Sequence, residues 1–172
     1  MPYCLRIAAL LLCVLVSPAL SLARDKRIAL VIGNSEYKNT PRLENPKHDA
    51  ADIAATLKKI GFGVLEGRDL DKAAMDRTIR DFAEALAGAQ VGLFFYAGHG
   101  LQVGGQNYLV PIDAKLTTAS AIDFEMVRLD LVHRTMERET STNILIMDAC
   151  RGTRNTNRRR RRAESPCQPP GL

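Results

Sequence analysis

The chain has 172 residues, of which 46% are hydrophobic, 25% charged and 5% aromatic, with no Trp. That length suits one domain with a short appendage, and the apolar content is too high for a chain disordered over most of its length. The net charge of +5 is concentrated at one end. Residues 151–172 carry seven Arg and one Glu, whereas residues 24–150 carry sixteen Lys or Arg against eighteen Asp or Glu. The body is therefore mildly acidic, which excludes a basic nucleic-acid-binding globule as the default reading.

The first 23 residues have the layout of a secretory signal peptide. Arg6 supplies the positive start, Ile7 to Val16 is an unbroken apolar run, and Ser21-Leu22-Ala23 places small residues around a cleavage point after Ala23. Ten apolar residues are short for a spanning helix, which needs about 20. An uncleaved N-terminal anchor is the alternative. The expectation is an exported protein with no stable membrane anchor after cleavage. Removal of this segment takes Cys4 and Cys13 and leaves Cys150 and Cys167. One pair is no disulfide framework, and two thiols with no neighbouring His do not read as a metal site. A single Cys150–Cys167 bridge stays open as an arrangement in an oxidising compartment.

From residue 24 onward strands and helices alternate. Arg27–Gly33 is a continuous apolar run ending in Gly, as in a strand buried on both faces. Pro46 opens a helix in which Ala50, Ile53, Ala54, Leu57 and Ile60 recur at helical spacing, and Gly61 ends it. Phe62–Glu66 reads as a short strand. Asp71 is a good N-cap for a second helix with an apolar stripe at Met75, Ile79, Phe82 and Leu86, closed by Gly88. Val91–Ala97 is another buried strand. Leu101–Val110 reads as a hairpin around Gly104-Gly105. Leu129, Val132 and Met136 support a third helix, and Asn143–Met147 is a fourth apolar strand. The pattern predicts an α/β domain with a mostly parallel sheet and helices on both faces.

Chemistry in such sheets gathers beyond the C-terminal ends of the strands. One of these ends runs into Gly98-His99-Gly100 and another into Asp148-Ala149-Cys150-Arg151-Gly152. If the two strands are neighbours, a thiol and an imidazole meet one substrate carbonyl, as a cysteine nucleophile with a histidine base requires. The bland readings are a buried small Cys and a His in a Gly-rich turn. His48 and His133 read as helix-surface residues, and Tyr96 as strand packing.

Tyr96-Ala97-Gly98-His99-Gly100 and Asp148-Ala149-Cys150-Arg151-Gly152, with 51 residues from His to Cys, together resemble the large-subunit half of the caspase and metacaspase clan. Asp148, in place of the Gln of the caspase signature, is similar to the metacaspase side, and the exported layout to a bacterial-type member. Arg27–Tyr37 and Leu43–Ala51 also resemble this clan, so the resemblance spans residues 25–152. It implies a three-layer α/β/α sheet and a cysteine endopeptidase acting on peptide or protein substrates. Cys150 would be the nucleophile, His99 the general base and acid, and the backbone amides of Gly100 and Cys150 the oxyanion donors. It further implies an acidic pocket, formed by Asp49 and Asp148, for an Arg or Lys before the cut. Asp49 has a bland reading as well, since an acidic residue suits a first helical turn. Ala97 stands where relatives often carry a hydroxyl residue. No metal ligand set or cofactor is implied, although calcium activates some metacaspase-like relatives.

The expected organisation is a signal peptide at 1–23, a large-subunit domain at 24–152 and a disordered Arg- and Pro-rich tail at 153–172. The clan has further strands and a helix after its nucleophile, whereas here 22 residues follow Cys150 with no apolar residue before Ala163. The expectation is a domain truncated after Cys150 that lacks the small-subunit half, by a frameshift or an early stop. It would have little or no turnover of its own and a sheet edge open to pairing with another chain. Two other function classes stay in view. One is a non-catalytic scaffold or interaction module with the same fold. The other is an anion-binding tail built on Arg158–Arg162, which export makes a poor candidate for nucleic acid.

Overall fold

The computed structural model describes residues 26–118 and 120–153, and the side chains among these as far as Ala149. The expected signal segment and, apart from Thr153, the expected tail lie outside the described residues. The elements in chain order are β1 (Arg27–Gly33), α1 (Pro46–Lys59), β2 (Gly63–Arg68), α2 (Lys72–Leu86), β3 (Val91–Val103), β4 (Gln106–Leu109), α3 (Ile122–Glu125), β5 (Val127–Arg128), α4 (Leu129–Glu139) and β6 (Thr142–Thr153).

These form one six-stranded mixed sheet. β1 pairs in parallel with β2 and with β3, and β3 pairs in parallel with β6. The far end of β3 turns back antiparallel into β4, which pairs antiparallel with β5. The hairpin turn is Gly104-Gly105, with φ of 58° and 82°; two consecutive positive φ values suit a tight hairpin and are tolerated by glycine without strain.

The alternation of side chains along the two central strands divides the core. Ile28, Leu30, Ile32, Phe94 and Tyr96 point to one face, where they meet Met75, Ile79, Phe82 and Leu86 of α2 and Val132 and Met136 of α4. Ala29, Val31, Leu93, Phe95 and Ala97 point to the other, where Ala50, Ala54 and Leu57 of α1 cover them. β1 from Ile28 onward and β3 as far as Ala97 are apolar because both of their faces are covered there. A third cluster, including Tyr37, Tyr108, Val110, Ile122 and Met126, packs the loops beyond the strand ends. Asp71 caps α2, its side chain accepting the Ala74 amide at 2.7 Å. Pro46 opens α1, and Gly61 follows it with φ of 89°.

The architecture is the expected α/β sheet with helices on both sides, but two strands are longer than their apolar runs. β3 continues past Ala97 to Val103 because β4 supplies a partner for its far end. β6 continues past Met147 to Thr153, paired with β3 all the way to Gln102. His99 and Cys150 therefore lie within strands rather than just beyond them. The short α3 and β5 carry no periodicity long enough to be read from sequence. Among the described residues β6 is covered on one face only. Leu145, Met147 and Ala149 pack against the α2–α4 core, while Ile144 and Ile146 on the opposite face remain 38% and 41% exposed. Among the described residues β6 pairs with β3 alone.

Candidate active site

The site is built around the turn leaving β1. Gly33 lets the first turn of α1 press against the strand: a Cβ there would overlap the Pro46 carbonyl oxygen and lie 2.7 Å from the Ala50 Cβ. Asn34, fully buried, ties three segments together. Its side-chain oxygen accepts the Leu70 amide at 2.9 Å, and its amide group donates to the carbonyls of Leu70 at 3.4 Å and Val110 at 3.3 Å. Asp69, in the left-handed region at φ 50°, accepts the amides of Ser35 and Glu36, each at 2.8 Å, and pairs with Lys47 at 3.3 Å. Burial pushes its carboxyl up, but the two amides and Lys47 outweigh that and hold it below the ordinary range. The loop from Asn34 to Asn45 is thus pinned at its start.

That loop reaches His99. The His99 Nε2 lies 2.8 Å from the Pro41 carbonyl oxygen. A carbonyl can only accept, so Nε2 carries the hydrogen and Nδ1 of the neutral ring is left with a free lone pair. Tyr37 packs its ring against the imidazole, centroid to centroid 4.4 Å at 52°, and its hydroxyl accepts the His99 amide at 2.7 Å. The Tyr96 hydroxyl donates to the His99 and Val110 carbonyls at 2.9 and 3.0 Å and lies 3.3 Å from the Tyr37 hydroxyl. Tyr96 is core packing, as its place in the strand implies, but its hydroxyl reaches the site. Neither that role, nor Tyr37, nor Pro41 was visible in the sequence. A polar atom inside the apolar run around Tyr96 was the one available signal.

Burial pushes the Tyr37 phenol up to about 12, and burial beside Tyr37 pushes Tyr96 up as well. The folded state therefore keeps these protons longer than the unfolded chain, whose phenols titrate near 10. The resulting stabilisation is complete below pH 10 and is lost as pH rises toward 12. For Tyr37 alone the loss is about 3 kcal/mol. Urea unfolding at pH 9, 10, 11 and 12 is expected to show this fall, with a shallower slope in Tyr37→Phe; equal slopes would refute it.

The register of the parallel ladder between β3 and β6 sets His99 opposite Cys150 and Ala97 opposite Asp148. The expected dyad positions thus face each other across adjacent strands. Gly100 lies between Leu109 of β4 and Arg151 of β6, so strands flank it on both edges. Ala97 belongs to the core face covered by α1, and Asp148, its exposed ladder partner, lies beside it. Asp49 is half-buried in the first turn of α1, next to Ala50 of that same cluster. Both carboxylates therefore border the α1 side of the sheet. His48 and His133 are exposed on α1 and α4. Among the described residues no three His, Cys, Asp or Glu side chains group closely enough to hold a metal ion. An open cleft of about 430 Å³, lined by Asn107, Asp130, His133 and Asn143 among others, contains none of the candidate residues.

The sequence from Lys26 to residue 169 matches the family model of the caspase domain, Peptidase C14. The chain belongs to the caspase domain family. This caspase domain is 32% identical over 130 residues to mucosa-associated lymphoid tissue lymphoma translocation protein 1 of Homo sapiens, and to the same extent to its Mus musculus homolog. Each match covers 76% of the chain and 15% of the relative, so the chain spans about one-seventh of the length of these proteins. Its fold is similar to that of the Drosophila initiator caspase Dronc, with a TM-score of 0.55 at 9% identity, over 72% of this chain and 48% of the Dronc chain. No described helix of this caspase domain is long and apolar enough to cross a membrane.

Proposed function

We propose that this caspase domain is a cysteine endopeptidase unit in which Cys150 is the nucleophile and His99 the proton carrier. The observation that carries the reading is the ladder register opposing positions 99 and 150, combined with the Pro41 carbonyl, which selects the neutral tautomer with its hydrogen on Nε2. In the proposed reaction His99 Nδ1 takes the thiol proton, the Cys150 sulfur adds to the scissile carbonyl, and His99 returns the proton to the leaving amine. Water then releases the acyl group. The backbone amides of Gly100 and Cys150 are the proposed oxyanion donors; for Gly100, flanked by two strands, this role requires β3 and β6 to part at the site. Asp49 and Asp148 are the proposed acidic pocket, selecting Arg or Lys before the cut. The apolar leader at 7–16 adds export to the proposal.

Covalent labelling tests the reading without requiring turnover. A peptidyl electrophile carrying Arg at the position before the reactive carbonyl is expected to modify Cys150, located by mass mapping. The Asp analogue should react at least tenfold more slowly, since a desolvated like-charge contact costs several kcal/mol. His99→Ala is expected to slow labelling by about 10²-fold. Labelling indifferent to His99→Ala would favour a non-catalytic scaffold, and faster labelling by the Asp peptide would reverse the specificity.

A further inference from the structure

We infer that Tyr37 is a positioning residue for His99, acting with Tyr96 through a closed hydrogen-bond chain that grips both backbone groups of the histidine. The catalytic meaning of this inference rests on the cysteine-peptidase reading; its geometry does not.

The chain has one direction. The His99 amide can only donate, so the Tyr37 hydroxyl accepts it at 2.7 Å. The His99 carbonyl can only accept, so the Tyr96 hydroxyl donates to it at 2.9 Å, sharing its proton with the Val110 carbonyl at 3.0 Å. Tyr96 has no second proton, so in the 3.3 Å contact between the hydroxyls Tyr37 donates and Tyr96 accepts. The path thus runs from the His99 amide through Tyr37 and Tyr96 back to the His99 carbonyl. Val110 closes a second loop, its own amide donating to the His99 carbonyl at 3.1 Å.

Tyr37 also packs on the reacting ring, its ring tilted against the imidazole at a centroid distance of 4.4 Å. It therefore restrains the peptide on which His99 is mounted and the ring whose Nδ1 must face position 150. Tyr37 is itself held: Lys38 donates its amide to the Ile112 carbonyl at 2.8 Å, and the Tyr37 ring belongs to the cluster under the loops. Gly98 leaves room for the arrangement. Its φ is 155°, and a Cβ there would lie 2.5 Å from the Tyr37 hydroxyl and 2.8 Å from that of Tyr96. Packing alone would be served by two phenylalanines. Tyr37 and Tyr96 are 4% and 0% exposed, and hydroxyls at such depth are costly unless each finds partners. Here the partners are the backbone of the candidate base.

The test uses the full chain labelled with ¹⁵N, its imidazole signals assigned with His48→Gln and His133→Gln. Wild type is expected to show His99 as a single tautomer protonated at Nε2. Tyr37→Phe keeps the ring but breaks the chain, and should give a mixture of tautomers with about a tenfold slower iodoacetamide reaction at Cys150 at pH 7, followed by mass mapping. Tyr96→Phe breaks the next link and should act in the same direction; it carries the test if Tyr37→Phe does not fold. Ile79→Val, a core change remote from the chain, should lower stability and leave both readouts alone. A Tyr37→Phe protein with the wild-type tautomer and a Cys150 rate within twofold of wild type overturns the inference. Failure of the peptidase reading looks different: Cys150 would react equally fast in His99→Ala, while the tautomer signal would still decide whether Tyr37 positions the ring.

Discussion

Gly33→Val is expected to destabilise the fold by about 3 kcal/mol or more, a large share of the roughly 5–15 kcal/mol by which such domains are stable. The new side chain would meet backbone, the Pro46 carbonyl, and the Ala50 Cβ, neither of which can swing aside as a long side chain would. The first turn of α1 would have to lift from the end of β1. That movement uncovers Ala29, Val31 and Phe95, which α1 shields, and shifts Asp49. Gly33→Ala should show a smaller loss of the same kind. Urea unfolding measures both. A Gly33→Val protein within about 1 kcal/mol of wild type would mean that α1 is not seated as described.

Asn34→Leu is expected to cost about 3 kcal/mol, because it keeps the branched outline but removes both polar ends of the side chain and adds bulk at a fully buried position. The Leu70 amide would lose its acceptor, and the part-buried Leu70 carbonyl and the buried Val110 carbonyl would each lose a donor. Asn34→Asp separates the groups involved. The carboxylate it introduces keeps the acceptor for Leu70 but turns negative oxygen toward the Leu70 and Val110 carbonyls. Once protonated, that carboxyl can donate to one of them. The Asn34→Asp protein should therefore regain stability as pH falls from 7 toward 5, against the usual trend for acid. Thermal unfolding across that range reads the sign, and a monotonic loss on acidification would contradict the role assigned to Asn34. Because Asn34 also joins the Val110 segment to the loop carrying Tyr37 and Pro41, its loss should slow Cys150 labelling along with stability.

How far the site was legible depends on which physical signal each residue leaves. His99 and Cys150 stood out because each follows a long apolar strand run in a Gly-containing turn motif, and the spacing of the two motifs resembles a known clan. The resemblance also supplied Asp49 and Asp148, which composition and periodicity leave as ordinary surface acids. Tyr37, Pro41, Asn34 and Asp69 left no comparable trace. Pro41 acts through its carbonyl oxygen, which every residue has, so no residue type could announce it. Tyr37 lies in an irregular loop where apolar periodicity has no meaning, and Asn34 looks like any turn residue until its three partners are known. The lengths of β3 and β6 exceed their apolar runs for a related reason. A strand extends as far as a neighbour pairs with it, and the polar and glycine-rich stretches 98–103 and 148–153 are strand only because β4 and β3 are there.

The sequence by itself determined the order of the strands and helices other than α3 and β5, the two covered faces of the central strands, the caps at Asp71 and Gly61 and the glycine turn of the hairpin. These are local matters of side-chain period, backbone freedom and hydrogen bonding within a few residues. Only the tertiary structure decided that position 99 stands opposite position 150, that α1 and the α2–α4 pair take opposite faces, and that one face of β6 is left partly bare. Register is a relation between segments some fifty residues apart, set when whole strand faces are buried together, and no short window of sequence contains it. The tyrosine chain around His99 belongs to the same class: its members come from positions 37, 96, 99 and 110, and their hydroxyls and amides find one another only after the sheet has closed the distance between them.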